Sequence, residues 1–142
     1  MGVLFWVIQY KYMLYIKNPN KLLKHTIVIP FVSVVIIPML FMDLWMEIYH
    51  RICFPLCGIP YVNRSDYIRI FDRAKLQYLN PVQKMYCMYC GYGNGVMSYW
   101  VKIANETEHY WCGIQHKKVD NFAIPEYQKN FSKYDDEQDF KK

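Results

Sequence analysis

Apolar residues run without a single charge from Thr26 to Met42, and only Asp43 and Glu47 interrupt them before Tyr49. That length matches the about 20 residues needed to cross a hydrocarbon core, so the pattern predicts a transmembrane helix over residues 26–49. Trp45 and Tyr49 at its far end suit the membrane interface, where amphipathic rings settle. Pro30 and Pro38 are better tolerated in a membrane helix than in a soluble one, a buried core helix being the competing reading. Ahead of the run, residues 1–16 are apolar but short and carry Lys11, which predicts an interfacial or partly inserted helix. Residues 17–25 then form a basic connector with a turn at Asn18, Pro19 and Asn20. No basic residue precedes the first apolar run and no small-x-small pattern follows it, which argues against a signal peptide.

Past residue 49 the pattern changes. Asp43, Glu47 and His50 fall at i, i+4 and i+7, one face of a helix. Glu47 and His50 have the Glu-x-x-His spacing of di-iron bundles, but such sites need a second motif that the chain lacks, so a polar stripe at the membrane exit is the preferred reading. Cys53 and Cys57, set among Pro55, Gly58 and Pro60, read as a loop. From Tyr61 to Arg73, β-branched and aromatic residues alternate roughly with charge, which predicts a short strand pair or an irregular layer. Asn80, Pro81 and Gln83 supply an N-cap, a proline at the first helical position and the partner of a capping box. This helix is expected to stop at Gly91 to Gly95. Asn94 then restarts a second helix, with Val96, Met97, Trp100, Val101, Ile103 and Ala104 as its apolar face, ending near Tyr110. The expected fold is mainly α: a membrane-associated helix or hairpin, then a small helical Cys/His-rich domain over residues 50–120. Residues 121–142 read as a partly ordered arm whose Tyr127, Phe131, Tyr134 and Phe140 dock on the domain.

The candidate chemistry lies in that domain. Cys87 and Cys90, two residues apart, are answered by Cys112 and His116, a set that tetrahedral zinc accepts. Gly91 would let the backbone turn so that its amides face the thiolates, as in a metal knuckle. A helix between Cys90 and Cys112 would separate the two pairs, so the zinc reading requires that segment to be short, bent or doubled back. Cys87 and Cys90 as an exchanging thiol pair are the alternative, although no strand-helix context places them at a helix N-terminus. A catalytic metal would keep an open position, which a fourth protein ligand at His116 opposes. No Ser-His-Asp pattern, phosphate loop or paired-carboxylate motif stands out, so a non-enzymatic role is favoured.

Composition sharpens the setting. A net charge of +5 over seventeen basic and twelve acidic residues leaves no continuous basic stripe, so nucleic-acid binding is not expected. Five cysteines, an odd number, fit a reducing compartment better than a secreted disulfide framework. These readings together describe a small protein of the cytoplasmic (inner) membrane with its Cys-rich domain on the cytoplasmic side. Its expected partners are membrane lipid and an unidentified protein, and it acts as an interaction or structural module stapled by zinc. Lys11, Lys17, Lys21 and Lys24 before the run against Arg51, Arg64 and Arg69 after it favour an inside N-terminus, which competes with an inside C-terminal domain.

Ile48 through Pro60 (Ile-Tyr-His-Arg-Ile-Cys-Phe-Pro-Leu-Cys-Gly-Ile-Pro) begins a longer pattern. It continues through Asp72-Arg73, Leu76, Tyr78-Leu79-Asn80, Cys87-x-x-Cys90 with Tyr92 and Asn94-Gly95, Ile103-Ala104, Thr107-Glu108, Tyr110-Trp111-Cys112 and Ile114-x-His116. Together these resemble a family of small uncharacterised bacterial proteins over roughly residues 44–140. The chain departs from that pattern at Gly113 and Gln115, where Pro and Lys are expected, and at Cys57, where an aromatic is usual. The resemblance implies a small bacterial protein and carries no assigned activity.

Overall fold

The computed structural model describes residues 20–141. The interfacial helix expected over residues 1–16 lies outside the described residues, as does most of the connector. The first long helix, α1, spans Lys21–Cys57 and begins after Asn20, which adopts a left-handed backbone (φ 55°). Its 37 residues extend about 55 Å at 1.5 Å per residue. It therefore overruns the expected end at residue 49 and takes in Cys53 and Cys57, which were expected in a loop. Pro55 removes only one amide from the helical ladder, and the chain leaves the helix a turn later at Gly58 (φ 67°). There the Gly58 amide donates to the Pro55 carbonyl and that of Ile59 to Phe54, an αL ending of the kind glycine permits.

The second long helix, α2, spans Pro81–Trp111. It starts as the sequence foretells: the Gln83 amide donates to Asn80 Oδ1, and the Asn80 amide donates to Gln83 Oε1, both at 2.9 Å. It does not stop at the glycines. The helix runs through Gly91, Gly93 and Gly95, so the expected pair of helices is one rod of 31 residues. The reason is packing. A Cβ on Gly91 would lie 2.8 Å from the Arg69 carbonyl oxygen, and one on Gly95 would lie 2.7 Å from that of Tyr67. The two glycines, one helical turn apart, form a flat track on which the backbone of residues 67–70 rests. Gly93 faces the other way, toward the Met39 methyl group.

Residues 58–80 return the chain from the end of α1 to the start of α2. They form two short 3-10 turns, Arg64–Asp66 and Arg73–Lys75; of the two expectations for residues 61–73, the irregular layer and not the strand pair is what occurs. No strand occurs among the described residues; there are only isolated bridges, Ile114 to Ser132 and Val119 to Phe122. Because the connection doubles back, α1 and α2 run parallel. Tyr89 reaches the Val32 carbonyl near the start of both helices, and Tyr49 meets Thr107 near their ends.

The core sits at the C-terminal end of this helix pair, where Phe54, Ile59, Val62, Tyr99 and Ile103 are buried together. The final segment docks on the end of α2. The Gln115 amide donates to the Ser132 carbonyl and the Ser132 amide to the Gly113 carbonyl, both at 2.8 Å, Phe131 is buried against the His109 ring, and Gln128 is fully buried. Tyr134 and Phe140 remain exposed, the latter closing a one-turn helix, α3, at Glu137–Phe140.

Candidate functional site

Asp43, Glu47 and His50 share the face of α1 that meets α2, and Asp43 and His50 are buried there. Charge in such a place needs a partner. Arg64, from the first 3-10 turn of the return loop, supplies it with two parallel bonds, Nη1 to Asp43 Oδ1 at 2.8 Å and Nη2 to Oδ2 at 2.5 Å. This bidentate geometry fixes orientation as well as charge. From α2, the Tyr92 hydroxyl donates to Asp43 Oδ2 at 2.8 Å and the Trp100 indole to Oδ1 at 3.4 Å. Glu47 is held likewise. Arg51 Nε donates to its Oε1 at 2.6 Å, and Arg64 Nη1 stands 3.6 Å from its Oε2.

His50 links this cluster to the core. The Val62 amide donates to His50 Nε2 at 3.1 Å, so that nitrogen carries no proton and the ring is neutral, with its hydrogen on Nδ1. Nδ1 lies 2.9 Å from the Tyr99 hydroxyl and therefore donates to it. The Tyr99 proton is then directed to Glu47 Oε2, 3.0 Å away. Burial, and then the bond to Glu47, push the Tyr99 phenol well above its ordinary range. Burial and the bond to Asp43 push that of Tyr92 up to about 12. Both phenols remain donors at neutral pH. The Asp43 bond raises Arg64 further above its ordinary value. Every group named is satisfied, and the ring of His50 is enclosed by Phe54, Tyr61 and Tyr99. The cluster acts as a clamp between α1, the return loop and α2, with no open side at His50 for a substrate.

The four proposed zinc ligands fall elsewhere, in two groups. Cys87 (half-buried) and Cys90 (exposed) stand one turn apart in the interior of α2. Cys112 caps the far end of the same helix, about 33 Å from Cys90 at 1.5 Å per residue. His116 lies beyond it, its Nε2 3.9 Å from Glu108 Oε1 and its backbone amide donating to Gln128 Oε1. The structure therefore does not bring the pairs together, because the glycines expected to turn the chain continue the helix. Among the described residues no group of three His, Cys, Asp or Glu side chains is placed to hold a metal ion. Cys53 and Cys57 stand one helical turn apart near the end of α1, Cys57 against the core.

No family model, curated protein or solved structure matches the chain. The site is therefore read from its own geometry. The sequence singled out the Asp43, Glu47 and His50 stripe but not the residues that answer it. The available signal was two acids on one face of an apolar run, which demand a cation; the cation, Arg64, lies 21 residues away.

Proposed function

We propose that the protein is a membrane-associated structural or interaction module, in which α1 is the membrane element and the clamp holds the rest of the chain rigidly on it. One observation carries this reading. From Leu23 to Leu56 the side of α1 turned away from α2 is apolar and exposed, including Phe31, Phe41, Leu44 and Trp45. Among the described residues, α1 is the one helix long and apolar enough to cross a membrane, with little of that stretch covered by the fold. A surface of this size in water would drive aggregation, whereas lipid satisfies it.

The odd count of five cysteines suits a reducing compartment better than a disulfide framework, which would put the domain on the cytoplasmic side of a bacterial inner membrane. A zinc ion held by Cys87, Cys90, Cys112 and His116 would require α2 to break between its two cysteine groups. Carbonate washing of membranes from cells expressing the full chain tests the membrane reading. Retention in the pellet is expected, and a monodisperse soluble monomer without detergent would overturn it.

A further inference from the structure

We infer that α1 lies along the membrane, within the interface of one leaflet, rather than across the bilayer. The inference rests on the membrane reading above and adds the geometry of the contact.

At 100° per residue, Leu23, Ile27, Val34, Phe41, Ile48 and Ile52 share one side of α1, opposite Met39, Asp43, His50 and Phe54, which face the rest of the fold. All six are exposed, and the stripe ends at Leu56, the most exposed of the large apolar side chains. From Leu23 to Leu56 it is about 50 Å long, well beyond the about 30 Å of a hydrocarbon core. A crossing helix would leave about two-fifths of the stripe outside the hydrocarbon, whereas a helix lying flat immerses all of it.

The opposite side of α1 gives the second reason. Tyr89 bonds the Val32 carbonyl, Gly93 touches Met39, and Arg69 and Arg73 flank Gly91 between them. The exposed residues Arg69, Asp72 and Arg73 therefore stand level with Val32 to Met39, the middle of the apolar run. A bilayer centred on that run would draw these charges into hydrocarbon. A bilayer along the outward stripe leaves them in water.

Charge is arranged to match. Both acids of α1, Asp43 and Glu47, are turned inward into the clamp, and the exposed Arg51, on one flank of the stripe, is paired with Glu47. The stripe therefore carries no acid, as the lipid-facing side of a helix lying in the interface requires. The partner is thus a phospholipid leaflet.

The test places a reporter at each end of the helix. Lys24→Cys marks its start, with Thr26→Cys as a second variant should the first accumulate poorly, and the native, exposed Cys112 marks the folded domain. Spheroplasts and inverted membrane vesicles are treated with a membrane-impermeant maleimide, and modification is read peptide by peptide by mass spectrometry. Both positions should be modified from the same side, within about twofold of each other, in a protein that carbonate does not extract. Modification of the two from opposite sides, with the chain still in the membrane pellet, would overturn the in-plane placement and leave the membrane reading intact. A chain found in the soluble fraction would overturn both.

Discussion

The two sides of α1 are made from the same helix and do opposite jobs. Its inward side carries Asp43, Glu47 and His50, each hydrogen-bonded to residues of the return loop or α2. Its outward side carries an exposed apolar stripe with no partner among the described residues. The inward side holds polar groups where they are buried, and the outward side holds apolar groups where they are exposed. This inversion of the usual globular pattern makes sense when the outward solvent is lipid. Helix propensity alone would not reveal it, because both sides are read from one continuous apolar segment.

Substitutions can break or sharpen this contrast, read as unfolding free energy by denaturant titration in mild detergent. The largest effect is expected on the inward side. Arg64→Met leaves the buried Asp43 carboxylate without its cation and should cost about 3 kcal/mol. Gly95→Ala comes next. Its Cβ would meet backbone, 2.7 Å from the Tyr67 oxygen and 2.9 Å from Ile68 Cα, so the return loop must lift away, at about 2 kcal/mol. Tyr99→Phe removes the donor to Glu47 and the acceptor for His50, with an expected loss of about 1–2 kcal/mol. Gly93→Ala should go the other way. Its Cβ finds only the flexible Met39 methyl group at 3.5 Å, so the gain in helix propensity, about 0.5–1 kcal/mol, is kept. On the outward side, Phe41→Ala should change unfolding by less than about 0.5 kcal/mol, because that ring is exposed and its edge-on contact is with Trp45, itself exposed on the same helix. A loss at Phe41 equal to that at Arg64 would erase the distinction between the sides.

Local chemistry was the legible part of this sequence. The capping box at Asn80 and Gln83 is written within four residues and appears in the structure with both of its bonds. The apolar run likewise gave a single long helix, although its end was placed too early, since Pro55 and Gly58 look like loop residues until the helix is seen to run past one and stop at the other. The misreading at Gly91 to Gly95 has a clear cause. Glycine marks a turn in isolation, but here it makes room for a backbone about 25 residues earlier in the chain, a tertiary contact that no local pattern records. The cysteine spacing turns on the same contact: Cys87 and Cys90 suit a knuckle only if the chain turns after them, and on the continuous helix they are neighbours on adjacent turns. Asp43, Glu47 and His50 were visible as a stripe, while Arg64, Tyr92 and Tyr99 could be joined to it only by the parallel packing of the two helices.

The division of α1 into a folded side and a lipid side is tested most directly by photolabelling native membranes with a lipid-soluble diazirine and mapping the adducts by mass spectrometry. The account predicts adducts along the outward stripe, at Ile27, Val34, Phe41, Ile48 and Ile52, and none at Met46, His50, Phe54 or Tyr99. Adducts at the inward residues, or an outward stripe left unlabelled in a membrane-bound chain, would contradict it.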